Sequence, residues 1–171
     1  LDLDALQGLI AWHLEQGTHG LVPCGTTGES ATLTQEEKLE VIRVTVETAA
    51  GKVPVIAGTG SNRTDDSIAM TQKAQALGVD GALVITPYYN KPTQEGLVQH
   101  FKAIHEGSDV PLVLYNVPSR TGVNMTADTT VRCSELSRVV AVKEASGDLV
   151  QAAEIVRSAQ GAIDVLSGED S

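Results

Sequence analysis

Lys143 closes the apolar run Val139–Val142 in VVAVKEASGD, and Glu144 follows it directly. A lysine in that place is either a strand-end side chain reaching water or a reactive amine. Buried lysines are rare, which favours the first reading for an arbitrary strand. If the strand belongs to a parallel barrel, its C-terminal end opens onto the mouth where such folds do their chemistry. An amine partly shielded from water favours its neutral form, and the neutral amine attacks a ketone. Side chains alternate along a strand, so an inward Lys143 sends Glu144 outward, toward the helices.

Tyr115 ends the preceding apolar run in LVLYNVPSRTG, with Arg120 five residues further on. A strand-end tyrosine is often packing with a wet hydroxyl, but a phenol beside a lysine can carry a proton to and from a carbinolamine oxygen. Arg120 is either solvated or a fork for a carboxylate. GTTGES at 25–30 is a glycine-rich turn before a helix start. Without GK[ST] it is no phosphate loop, yet its backbone N–H groups and the Thr26 and Thr27 hydroxyls suit a small carboxylate. Glu29 is expected to tie this loop down. TPYYNKP at 86–92 carries two of the three tyrosines, Tyr88 and Tyr89, and reads as a packed or subunit-facing loop. His13, His19, His100 and His105 lack metal-ligand spacing, so no metal site is expected. Cys24 reads as a small buried residue.

The elements that must position these residues repeat. Six near-continuous apolar runs, Gly20–Cys24, Val53–Ala57, Ala82–Thr86, Leu112–Tyr115, Val139–Val142 and Ile163–Leu166, read as parallel strands buried on both faces. Helical patterns lie between them at Gln35–Ala50, Asp65–Leu77, Gln94–Glu106, Ala127–Leu136 and Leu149–Ala159, with another at Asp4–Glu15. Thr34 with Glu37 reads as a capping box, and Gly51, Gly78, Gly107 and Gly161 as helix stops. The alternation means α/β with a parallel sheet, either doubly wound or a (β/α)8 TIM barrel. GTGSNR at 58–63 lacks the third glycine of a dinucleotide fingerprint. The polar motifs GTTGES, GTGSN, TPYYNKP, YNVPSRTG, KEASGD and SGED instead follow successive strands, as a barrel arranges its site. The barrel is the reading taken. A full barrel needs roughly 250 residues. The 171 residues are therefore expected to form a single partial barrel domain over 1–171, a fragment lacking the first strand and the C-terminal part.

A net charge of −10 argues against nucleic acid or an anionic membrane as partner. No apolar run is long enough for a membrane span, and no basic-then-apolar leader is seen at the N-terminus. The two cysteines stand outside any CxxC, which fits a reducing, cytoplasmic setting.

GTTGES, TPYYNKPTQEG, YNVPSRTG and VVAVKEASGD, in this order and spacing, closely resemble the dihydrodipicolinate synthase family. That family belongs to the pyruvate-dependent class I aldolases together with N-acetylneuraminate lyase. The resemblance runs from the first residue to the last. It implies a lyase that condenses pyruvate with L-aspartate 4-semialdehyde in diaminopimelate and lysine biosynthesis, with no metal or organic cofactor. By the same resemblance Lys143 would be the Schiff-base lysine and Tyr115 the proton shuttle. The relay would continue through Thr26 to Tyr89, which the family donates across a dimer interface. Thr26 and Thr27 would hold the pyruvate carboxylate, Arg120 the semialdehyde carboxylate, and Gly168 would line the pocket. A homo-oligomer, a dimer of dimers in the full-length protein, is implied. Ser30, Ala31, Asn62 and Tyr88 match the family's allosteric positions, while Asp66 stands where a glutamate is common. Gln35 and Lys38 stand where some relatives have histidines, and a cationic Lys38 argues against lysine feedback. The competing readings are an aldolase for keto-sugar acids, such as N-acetylneuraminate lyase, and a non-catalytic barrel paralogue.

Overall fold

The computed structural model describes residues 1–169, so Asp170 of the SGED motif lies outside the described residues. Five parallel strands stand side by side in chain order: β1 (Ile56–Gly58), β2 (Gly81–Ile85), β3 (Leu112–Asn116), β4 (Val139–Glu144) and β5 (Asp164–Ser167). Helices connect them: α3 (Thr64–Ala76), α4 (Gln94–Gly107), α6 (Ala127–Ser134) and α7 (Leu149–Ala159). Two more, α1 (Leu3–Glu15) and α2 (Gln35–Ala49), precede β1 and pack on each other.

Each strand divides its side chains between two cores. Ala82, Val84, Leu112, Leu114 and Val142 join Phe101 and Ile104 in the large core beneath the helices. Leu83, Val113, Tyr115 and Ala141 form a smaller cluster on the other face. Full burial of each large apolar side chain is worth roughly 1.5–3 kcal/mol. Helices on one face and strands in unbroken sequential order make this the wall of a barrel. A doubly wound sheet would reverse its strand order and carry helices on both faces.

One irregularity sets the phase of β4. Leu112 pairs with Val139 but Val113 pairs with Ala141, so Val140 is an extra residue. Val139 and Val142 both reach the large core, three positions apart, which simple alternation forbids. The bulge turns Ala141 and Lys143 to the inner face and Glu144 to the helices.

The first expected strand is a correction. Gly20–Cys24 contributes only an isolated bridge, Leu21 to Val55, and the second strand shrinks to Ile56–Gly58. Pro23 and Pro54 have no N–H to donate, so their carbonyls accept from Gly58 and Leu21, at 2.9 Å each, without a continuous ladder forming. Cys24 then leaves extended geometry at φ 58°. Its carbonyl crosses β1 so closely that a Cβ on Gly58 would lie 2.1 Å from it.

The expected helices appear with ends shifted by a residue or two, and Leu149–Ala159 matches at both ends. The capping box is complete: Thr34 N–H donates to Glu37 Oε2 at 2.8 Å and Glu37 N–H to Thr34 Oγ1 at 3.2 Å. Gly107 is not a stop but the last residue of α4, where it lies against Ile68. Two short elements were not expected: a 3-10 turn at Ser30–Thr32 and α5 (Pro118–Thr121), which begins on a proline.

His100 gives this fold a pH dependence. It is buried between α4 and α3, its Nδ1 is 2.9 Å from Thr64 Oγ1, and burial pulls its pKa down to about 4. The native state therefore resists a proton that the unfolded chain binds near pH 6.5. Its share of stability is intact above that pH and is lost as pH falls toward 4. About 2 kcal/mol should be lost between pH 7 and pH 5 through this residue. Urea denaturation at both pH values checks it, and His100→Gln should remove that part of the difference.

Candidate active site

Tyr115 and Lys143 are register partners on β3 and β4, both turned to the inner face. Lys143 Nζ lies over the Tyr115 ring, 4.7 Å from its centroid. The ring is buried and shields one side of the amine, and a cation–π contact of this kind is worth roughly 0.5–2 kcal/mol. Gly168, after β5, presses on the lysine stem: a Cβ there would meet Lys143 Cε at 3.2 Å and Ala145 Cβ at 2.5 Å. Only glycine lets the backbone approach that closely.

Glu144 faces the helices, as alternation requires. It is buried, and its carboxylate accepts hydrogen bonds from Asn116, the Ser146 N–H and Gln151.

The loops around this pair are shaped by non-glycine residues in left-handed conformations: Cys24, Glu29, Tyr89 and Lys91, with φ of 58°, 54°, 72° and 46°. In the first loop, Gly28 N–H donates to Gly25 O and Glu29 N–H to Thr26 O, at 3.1 and 3.0 Å. The expectation that Glu29 ties this loop down holds only for its backbone, whose carbonyl accepts from Thr32 N and Oγ1 at 2.9 Å each. Its carboxylate is exposed and has no hydrogen-bond partner among the described residues, because the left-handed turn aims it at water.

Tyr89 is 88% exposed, while its N–H donates to Thr121 O at 3.3 Å. Lys91 folds over Gly122, next to Arg120 on α5. Arg120 is exposed and makes no ion pair among the described residues.

A cavity of about 1000 Å³ opens here. Thr26, Tyr89, Tyr115 and Arg120 line it, and so do Ser30, Ala31, Tyr88, Lys38 and Asp66. Thr27, Asn62, Lys143 and Gly168 are not in its lining. Lys143 stands beside the cavity, against Tyr115, and Asn62 accepts from Asn90 Nδ2 through its backbone carbonyl at 3.3 Å. Cys24 also lines the cavity, but burial pushes its thiol up to about 11, so it is no nucleophile at neutral pH. His13 bonds Thr18 and His105 bonds Ser137.

Sequence reasoning missed Asn116, Asn124 and Gln151, which surround Glu144 (through Asn116 in the case of Asn124). A signal was there to be used. Asn116 follows Tyr115 as Glu144 follows Lys143, so two polar residues occupy outward positions that apolar residues fill elsewhere in both strands.

The dihydrodipicolinate synthetase family matches residues 1–171. The 4-hydroxy-tetrahydrodipicolinate synthase of Thermodesulfovibrio yellowstonii is 54% identical over 170 residues, covering 99% of this chain and 58% of that protein. The same enzyme of Nitratidesulfovibrio vulgaris is 53% identical over 171 residues, covering 99% and 59%. Among solved structures, the chloride-inhibited dihydrodipicolinate synthase of Acinetobacter baumannii in complex with pyruvate superposes with a TM-score of 0.98 at 48% identity, covering 99% of this chain and 58% of that one. The dihydrodipicolinate synthase of Cyanidioschyzon merolae with lysine bound gives 0.96 at 46% identity, covering 99% and 58%. The chain thus spans about 58% of the length of these relatives.

Proposed function

The chain belongs to the dihydrodipicolinate synthetase family, and on that premise we propose that its protein is a lysine-dependent lyase joining pyruvate to L-aspartate 4-semialdehyde. The observation that carries the reading is the pairing of Lys143 with Tyr115 at the strand ends, with Nζ 4.7 Å from the ring centroid.

The Lys143 amine, once neutral, attacks the pyruvate carbonyl and forms a carbinolamine. Tyr115 delivers a proton to the departing oxygen, water leaves, and a protonated imine remains. Loss of a methyl proton gives an enamine, whose carbon adds to the semialdehyde carbonyl. The semialdehyde nitrogen then attacks the imine carbon, closes the ring and expels Lys143. The imine itself is the electron sink, so the reading calls for no metal or organic cofactor.

Thr26 and Tyr89 extend the proton path, and the exposure of Tyr89 suits a side chain that reaches the site of a second copy in a homo-oligomer. Thr26 and Thr27 would hold the pyruvate carboxylate, with Gly168 against the lysine stem. Arg120, free of ion pairs among the described residues, would take the semialdehyde carboxylate as a bidentate fork. A cytoplasmic setting is part of this reading. Turnover of pyruvate with L-aspartate 4-semialdehyde in the intact protein tests the reading. Cleavage of N-acetylneuraminate in its place would favour the keto-sugar-acid aldolase.

Ser30, Ala31 and Tyr88 line the cavity together with Lys38. Asp66 in the same lining would attract a lysine ligand, but the Lys38 cation opposes it, and Asp66 is already paired with Arg63 at 3.0 Å. Activity should therefore fall less than about twofold in millimolar L-lysine, a change under ~0.5 kcal/mol. Initial rates with and without L-lysine check this, and strong inhibition contradicts it.

A further inference from the structure

Behind the Lys143–Tyr115 pair lies a buried polar cluster to which the proposed chemistry assigns no part. Asn116 is fully buried, and its Nδ2 donates to both Glu144 carboxylate oxygens at 3.1 Å. Ser146 N–H donates to Glu144 Oε1 at 2.8 Å, and Gln151 Nε2 to Oε2 at 3.1 Å. Asn124 closes the ring: its Oδ1 accepts from Asn116 at 2.8 Å, and its Nδ2 donates to Gln151 Oε1 at 2.8 Å. Asn116 Oδ1 accepts from Met125 N–H at 2.9 Å.

Among the described residues, every hydrogen-bond partner of the Glu144 carboxylate is neutral. Burying a carboxylate is costly even when it is hydrogen-bonded, and packed apolar side chains of like volume often serve stability as well or better. The strands adopt that solution two register steps away, with Leu114 against Val142. The polar solution appears only at the pair Asn116–Glu144, one residue beyond Tyr115–Lys143. There it ties the end of β3 to the end of β4 across the sheet. The same residue is held on the other side by the end of β5, since Gly168 N–H donates to Glu144 O at 2.9 Å.

We propose that Asn116 and Glu144 are positioning residues, whose cross-strand hydrogen bonds hold the Tyr115 hydroxyl and the Lys143 amine in the relative placement that imine formation needs. They act through the backbone of β3 and β4 and touch no substrate. The proposal rests on Lys143 being the Schiff-base residue. A misplacement of about 1 Å can cost on the order of 100-fold in rate.

The test uses the intact protein, borohydride and pyruvate. Glu144→Gln keeps the shape of the side chain but sets an NH2 group against the donors of Asn116 or Gln151. Asn116→Ser leaves Glu144 its Ser146 and Gln151 donors and removes the strand-to-strand tie, together with the Asn116 bonds to Asn124 and Met125. For each variant the first-order rate of trapped adduct formation is measured against pyruvate concentration, and the folded fraction is read by circular dichroism at the assay temperature. The expected result is a 10- to 100-fold lower limiting rate per folded molecule, with the half-saturating pyruvate concentration changed less than threefold. A purely structural role would lower the melting temperature and leave the limiting rate of folded molecules alone. Limiting rates within twofold of the parent protein overturn the proposal. So does failure of both variants to fold, because the cluster then serves stability alone. If the parent protein gives no adduct on the peptide holding Lys143, the Schiff-base reading itself has failed, an outcome distinct from either.

Discussion

Replacing Lys143 by alanine should lower kcat/KM for the condensation by about 10⁴-fold or more, a loss of at least ~5 kcal/mol of transition-state stabilisation. No other group in the strand-end cluster can take over the covalent step. Tyr115 is a phenol, Gly168 has no side chain, and Cys24 is held protonated by burial at neutral pH. The fold should hardly notice. Lys143 is half-buried, has no ion pair among the described residues, and lies on the smaller inner cluster rather than in the main core. Lys143→Arg sharpens the point, since it keeps the cation over the Tyr115 ring but offers a guanidinium that is not deprotonated in proteins. It should be as inactive as the alanine variant. Steady-state kinetics with circular dichroism on both variants check this, and residual activity above a thousandth of the parent would contradict it.

Tyr115→Phe should lower kcat by about 10²- to 10³-fold, the range expected for a positioned proton donor. The substitution separates two roles of one side chain. The ring is 6% exposed and packs with Leu83, Val113 and Ala141, so phenylalanine preserves the cluster. It also preserves a π face under the lysine ammonium. Only the hydroxyl is lost, and it makes no hydrogen bond within the protein among the described residues. Stability should therefore change by less than about 1 kcal/mol, the scale of a single uncommitted hydroxyl. The pyruvate KM should move by less than threefold. A large change in melting temperature with intact kcat would assign Tyr115 to packing alone.

Much of the site could be read from residue order. Alternation sends Lys143 and Glu144 to opposite faces, and β4 places them so. Alternation holds there because the two residues are neighbours. It does not hold back to Val139, since the bulge at Val140 reverses the phase and leaves no mark in a run of valines and alanine. The first strand is shorter than its apolar run suggests for a related reason. Gly20–Cys24 is apolar enough, but Pro23 and Pro54 each remove a donor on facing segments, and only a long-range pairing reveals that both losses fall together. The loops leave the faintest trace in the sequence. Glu29, Tyr89 and Lys91 adopt left-handed backbones that ordinary residues enter only when their surroundings impose it, at a cost of order 1–3 kcal/mol. Those conformations decide that Glu29 faces water and that Lys91 crosses Gly122, and no local pattern announces them. The Asn116–Glu144 cluster lies between these cases. Its members are 28 residues apart, yet each sits one step past a residue already singled out.

The central claim is that the Lys143 amine forms an imine with pyruvate. Its most direct test is borohydride reduction of the intact protein in the presence of pyruvate, followed by proteolysis and mass mapping. The account predicts one stable adduct per chain, carrying the mass of reduced pyruvate on the peptide that contains VVAVKEASGD, at Lys143. An unmodified Lys143, or an adduct that forms on another lysine instead, would contradict it.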